Sequence, residues 1–66
     1  MTKTEMIHAI HAGHRVRHRY FSPDEWMKLT PKGDYEFEDG VVCPRQMFWM
    51  DRQQDYWNTD WEIVNP

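Results

Sequence analysis

Cysteine, long apolar runs and catalytic signatures are all scarce in this sequence, and each scarcity removes a class of protein. Cys43 is the single cysteine among 66 residues, so no internal disulfide can form, which fits a reducing compartment. No stretch approaches the roughly 20 apolar residues of a membrane-spanning helix. The opening Met1-Thr2-Lys3-Thr4-Glu5 has no apolar h-region, so no secretory leader is expected. There is no Walker motif, no dinucleotide fingerprint and no His-Glu-x-x-His.

What remains is short and aromatic. Residues 1–66 are expected to form a single domain. A domain of this size buries only about 60% of the surface its unfolded chain exposes, so its core is thin. Four Trp, three Tyr and three Phe are many for such a core to use. Without a disulfide, the means of stabilisation left are dense aromatic packing and self-association. The net charge of −3 argues against a protein that wraps duplex DNA. Charge is uneven: His14, Arg15, Arg17, His18 and Arg19 form a basic block, and Asp34, Glu36, Glu38 and Asp39 an acidic one. Complementary patches of this kind can drive self-association.

Local signals divide the chain. Thr2 and Glu5 have capping-box spacing, Met6, Ile7 and Ile10 recur at helical spacing, and Gly13 suits a left-handed C-terminus. A helix is expected over 3–12. Residues 14–21 alternate, predicting a strand with His14, Val16, His18 and Tyr20 on one face and Arg15, Arg17, Arg19 and Phe21 on the other. Ser22-Pro23-Asp24-Glu25 predicts a capped helical turn that carries Trp26 inward. A short strand over 27–30 is possible before the turn at Pro31–Asp34. Tyr35–Glu38 and Val41–Cys43 read as a hairpin with a type I′ turn at Asp39-Gly40. Pro44 opens a second helix carrying Met47, Phe48 and Trp49. Tyr56 and Trp57 anchor a polar stretch, Asn58-Thr59-Asp60 is a turn, and Trp61–Val64 is a last strand.

The expected fold class is α+β, with one N-terminal helix on a small, strongly twisted antiparallel sheet and short helical turns. Its expected core is Met6, Ile10, Val16, Trp26, Leu29, Phe37, Val41, Phe48, Trp61 and Ile63.

Candidate chemistry is sparse. His8 and His11 can share a helix face, but no fourth-ligand spacing surrounds Cys43, so the four histidines read as exposed or half-buried polar residues and no metal is expected. Cys43, just before Pro44, reads as a small packed hydrophobe rather than a nucleophile. Glu36 and Glu38 share a strand face and read as solvated. Arg15, Arg17 and Arg19 project side by side about 6.5–7 Å apart, twice the strand rise. A guanidinium fork matches a phosphate oxygen pair, and Tyr20, Phe21 and Trp26 follow at once with rings that stack on bases. The competing reading is a solvated strand face beside core aromatics.

Gly13, Val16, His18, Phe21, Trp26 and Leu29, with the closing Asp60-Trp61-Glu62-Ile63-Val64, together resemble the small phage proteins of the Thoeris anti-defence 2 family. Its members share an opening helix, then G-x-x-V-x-basic and an aromatic, and a final D-W-x-[IV] strand. Phe21 stands where members usually carry Trp. The resemblance implies a non-enzymatic sponge in the cytoplasm of an infected bacterium. Such a sponge sequesters cyclic ADP-ribose-type immune signals, without a cofactor, in sites formed between protomers of a homo-oligomer. On that reading Arg15 and Arg17 pair with phosphate, and Phe21, Trp26 and Trp57 stack on the base or wall the pocket. Asp60 accepts from ribose hydroxyls or caps the final turn. The alternative is an inhibitor of a host defence protein, a nuclease or CRISPR effector, whose acidic hairpin imitates nucleic-acid phosphates.

Overall fold

A computed structural model describes residues 1–64 of the chain. The capping box forms as its spacing requires: the Thr2 amide donates to Glu5 Oε1 at 2.8 Å and the Glu5 amide to Thr2 Oγ1 at 3.1 Å. It starts helix α1 (Lys3–His11), which ends where Gly13 takes φ 98°, a left-handed value that glycine adopts without steric cost. Five short strands follow: β1 (Arg15–His18), β2 (Met27–Leu29), β3 (Tyr35–Phe37), β4 (Val42–Cys43) and β5 (Trp61–Val64). Helix α2 (Arg45–Met50) and a 3-10 turn (Asp55–Asn58) separate the last two. The strands form one antiparallel sheet in the order β4-β3-β2-β1-β5. The fold is therefore α+β, as the alternation and capping patterns imply.

The register divides the sheet into two unlike faces. Val16 lies opposite Met27 and Ile63, His18 opposite Trp61, and Leu29 opposite Tyr35. This face is covered by α1 through Met6 and Ile10 and by α2 through Phe48. Met6, Val16 and Met27 have no exposed surface, and Ile10 and Phe48 almost none. Burying each such side chain stabilises the fold by about 1.5–3 kcal/mol. Tyr35 is buried beside Phe48 at a centroid distance of 5.1 Å, and its hydroxyl accepts from Trp49 Nε1 at 3.0 Å. The other face carries Arg15, Arg17, Lys28, Glu36 and Glu62, with no helix over it among the described residues. At the outer edge of β5 the chain start adds a bridge: the Trp61 amide donates to the Met1 carbonyl at 3.1 Å, and the Met1 ammonium to the Trp61 carbonyl at 2.7 Å. This bridge occupies part of an edge that would otherwise offer free backbone groups.

Several expectations change. The first strand stops at His18 rather than 21. Tyr20 turns out to solvent, and Phe21, expected on the arginine face, is buried on the closed side. The cause is a tight turn in which the Phe21 amide donates to the His18 carbonyl at 3.0 Å, which breaks the alternation. Ser22–Glu25 makes a single turn and no helix; half of its capping box forms, with the Ser22 amide donating to Glu25 Oε1. Trp26 does not enter the core. Met27 occupies that place: it lies opposite Val16 on the covered face, and Trp26, one residue before it, falls on the other. The turn at Asp39-Gly40 is not type I′, since Gly40 alone there has positive φ, 87°. The Gly40 amide donates to the Phe37 carbonyl, and the Phe37 amide to that of Val41, giving a three-residue loop with a type I turn and a glycine bulge. Val41 is exposed at the resulting rim, Ile63 is exposed at the edge strand, and Leu29 and Phe37 are only half-buried. His18, expected to be polar and at least partly accessible, is completely buried.

Charge placement also differs from expectation. Lys28 stands directly opposite Glu36 and Arg17 opposite Glu62. Opposite charges thus face each other across strands of one chain, where such pairs are mildly favourable, and Arg17–Glu62 closes as an ion pair at 2.8 Å. No helix among the described residues is long and apolar enough to cross a membrane.

Candidate ligand-binding site

The arginine row is the most distinctive feature of the open face, and its three members are held differently. Arg15 lies on Trp26, which β2 register places on the same side, with the guanidinium carbon 4.4 Å from the ring centroid. An arginine stacked in this way is oriented by the ring while its N–H edge stays available. Arg17 is committed within the fold. Its Nη1 donates to Glu62 Oε1 at 2.8 Å, and its Nη2 donates to the carbonyls of Phe21 and Ser22, each at 3.3 Å. It clamps the turn that follows β1. Its Nε is buried without a partner among the described residues.

Arg19 lies just past the strand end and is exposed. Its amide donates to the Asp60 carbonyl at 3.0 Å, and its guanidinium meets no acceptor among the described residues. Beside it is a hollow of about 450 Å3 lined by Met1, Arg17, Arg19, Asp60, Trp61 and Glu62. Asp60 enters this rim with φ 66°, the one non-glycine residue with positive φ among those described. Aspartate tolerates that region better than most residues, yet still at a cost of order 1 kcal/mol. No hydrogen bond within the described residues reaches its carboxylate, so it does not cap the final turn. The hollow therefore presents cationic groups and a free acceptor together.

The structure thus brings Arg15 to Trp26, and Arg17 to Asp60. It separates the rings of Phe21 and Trp57 from them. Phe21 packs against Trp61 at 5.7 Å and Phe37 at 6.3 Å. Trp57 is half-buried on the closed side, 4.3 Å from the His18 ring. In these positions neither forms a wall of the arginine row.

Sequence reasoning placed His18 in the basic block and read it as exposed or half-buried, but it is buried and organises this end of the molecule. The Tyr20 amide, which can only donate, lies 3.0 Å from His18 Nδ1. Nδ1 is therefore the acceptor, and Nε2 carries the proton. Nε2–H is shared between the carbonyls of Tyr56 at 2.9 Å and Thr59 at 2.8 Å. One imidazole thus fixes the turn after β1, the 3-10 turn and the approach to Asp60. The signal in the sequence was its place two residues after Val16 on an alternating strand.

A second hollow of about 280 Å3 lies at the hairpin end, lined by Glu25, Phe37, Glu38, Asp39, Val41 and Arg52. The carboxylates of Glu38 and Asp39 stand there, whereas Glu36 is on the open face opposite Lys28. The His11 ring is engaged locally, with Nδ1 2.8 Å from the Ile7 carbonyl. Cys43 is half-buried against the hydrophobic core, with Sγ 3.5 Å from the Pro44 carbonyl. Among the described residues no group of three or more His, Cys, Asp or Glu side chains is placed to hold a metal ion. Burial pushes the Tyr35 hydroxyl pKa up, against the lowering effect of the Trp49 hydrogen bond and of Arg45. Hydrogen bonds from Thr2 hold the Glu5 carboxyl below its usual range. The chain matches no protein-family model, no curated protein and no solved structure.

Proposed function

We propose that this protein is a non-enzymatic binder of a small anionic nucleotide-type ligand, of the kind implied by its resemblance to phage anti-defence sponges. The observation that carries this reading is the exposed Arg19 guanidinium, without an acidic partner among the described residues, on the rim of a hollow that also carries Arg17 and the unengaged carboxylate of Asp60. Guanidinium groups recognise phosphate oxygens, and a carboxylate acceptor suits ribose hydroxyls. Arg15 on Trp26 supplies a second cationic point along the same strand. Phe21 and Trp57 have no direct part in this version of the site. Titration calorimetry with cyclic ADP-ribose isomers and cyclic dinucleotides tests it. A saturable heat signal is expected with at least one, weakened tenfold or more in Arg19→Ala. Absence of heat and of thermal shift with all of them refutes it.

The acidic rim of the second hollow favours a different reading, in which Glu25, Glu38 and Asp39 dock a basic surface of a host defence protein. A stoichiometric partner retained from host lysate, and lost when Glu38 and Asp39 are both changed to Lys, would select that reading.

A further inference from the structure

We infer that Tyr20, the residue after Arg19 on the rim of the arginine-lined hollow, and Tyr56, which packs on it, form a base-recognition platform, so that the site takes a nucleotide with an intact aromatic base in preference to a bare phosphate or sugar phosphate. This rests on the nucleotide reading above and assigns its aromatic part. Tyr20 and Tyr56 are 59% and 42% exposed, which sets them apart from the packed aromatics of the core. Their rings meet edge to face, with centroids 5.0 Å apart and planes at 79°. Among the described residues no hydrogen bond reaches either phenol. The other candidates for a stacking surface are engaged: Phe21 is buried, Trp57 is wedged beside His18 and Tyr56, and Trp26 carries Arg15 on its ring.

The platform is held in place before any ligand arrives. His18 Nδ1 fixes the Tyr20 amide, and His18 Nε2–H fixes the Tyr56 carbonyl. The same Nε2–H reaches the Thr59 carbonyl, one residue before Asp60, whose own carbonyl takes the Arg19 amide. Both tyrosines and the Arg19–Asp60 rim are therefore tied to one buried imidazole. A ring with two χ angles on a fixed backbone loses little freedom on binding, and stacking is available to any base because every base has a π-face. His18 acts here as a positioning residue and touches no ligand.

The experiment compares three probes on the full chain by calorimetry: ADP, ribose 5-phosphate and inorganic pyrophosphate. ADP is expected to bind at least tenfold more tightly than either other probe. Tyr20→Leu and Tyr56→Leu, at exposed positions, should abolish that advantage while leaving pyrophosphate affinity within twofold of wild type; Arg19→Ala should weaken all three probes. On the unaltered protein, ADP but not pyrophosphate should shift the Tyr20 and Tyr56 ring-proton resonances upfield, which keeps the question decidable should a variant misfold. Equal affinity for ADP and pyrophosphate, or an ADP advantage untouched by both tyrosine changes, overturns the platform and leaves the anion site standing. No binding of any probe, nor of the cyclic nucleotides above, removes the nucleotide reading and the platform with it.

Discussion

Replacing His18 tests how this end of the fold is held together. The imidazole has no exposed surface. It makes three hydrogen bonds at 2.8–3.0 Å to backbone groups of Tyr20, Tyr56 and Thr59. Its ring also packs against Trp57 at 4.3 Å and Trp61 at 4.9 Å. His18→Leu keeps most of the volume but removes every polar contact. At about 1 kcal/mol for each hydrogen bond, the loss is about 3 kcal/mol. All three bonds are only partly buried, so water re-solvates some of the freed groups and holds the cost near that figure. A chain of 66 residues at roughly 0.05–0.15 kcal/mol per residue has total stability of about 3–10 kcal/mol.

The assay is urea unfolding followed by tryptophan fluorescence. With a slope near 1 kcal/mol per M for a small domain, His18→Leu should lower the midpoint by about 3 M, or leave the chain unfolded in buffer. His18→Gln is the informative companion, because its amide N–H can reach roughly where Nε2–H lies and retain one or both carbonyl contacts. It should lose about half as much, on the same arithmetic. A His18→Leu midpoint within about 0.5 M of wild type would mean that the bonds to Tyr20, Tyr56 and Thr59 contribute almost nothing net. A Gln variant no better than Leu would put the effect in the ring packing instead.

Four further outcomes are expected. Asp60→Gly should be about 1 kcal/mol more stable than Asp60→Ala, because glycine alone takes the positive φ without strain; a glycine variant no more stable than the alanine variant refutes the strain. Tyr35 has its pKa raised by burial, so the unfolded chain loses that proton first. Stability should fall as pH rises above about 10, less steeply in Tyr35→Phe, and parallel pH profiles would exclude the effect. Glu5 has its pKa lowered, so its contribution is present above pH 4.5 and lost as pH falls through the lower folded value; Glu5→Gln should flatten that limb in circular-dichroism melts. Sedimentation equilibrium at micromolar concentration should show a homo-oligomer, most simply a two-fold dimer. Arg17 and Glu62 already pair within the chain, and Val41, Val42, Met47 and Met50 are among the exposed apolar side chains, so high salt should not weaken it. A monomer mass at both low and high salt rules assembly out.

The parts of the fold that were legible in the sequence are those with a local cause. The Thr2–Glu5 box, Gly13 and the spacing of Met6 and Ile10 specify α1 without reference to the rest of the chain. The hairpin around Gly40 and the strand Trp61–Val64 carry their own alternation. The errors lie where one residue decides a face. Alternation continues on paper through Arg19, Tyr20 and Phe21, but a single turn hydrogen bond from Phe21 to His18 ends the strand and sends Phe21 inward. Trp26 has more apolar surface to bury than Met27, and size alone favours it for the core. The β2 register overrides this and leaves Trp26 beneath Arg15.

The candidate site shows the same division. Arg15 and Arg17 were legible as neighbours because like charges at a two-residue period must share a strand face. What could not be read was how each arginine is used. Arg17 is drawn into the fold by Glu62, 45 residues away, and by two carbonyls of a turn that the strand reading had erased. Arg19 has no such competitor among the described residues, and so the residue just past the strand end holds the freest guanidinium on the rim. His18 was hidden for the opposite reason. A histidine between arginines reads as part of a basic surface, yet the pleat turns it away from them by one position. Three backbone groups, from residues 20, 56 and 59, then make its burial affordable. Two of those groups come from the far end of the chain, so no window of sequence around His18 contains them. The charge of the open face and the order of the closed face are thus set by alternate residues of one four-residue strand. A change at Arg15 or Arg17 should alter the open face, whereas a change at Val16 or His18 should loosen the core.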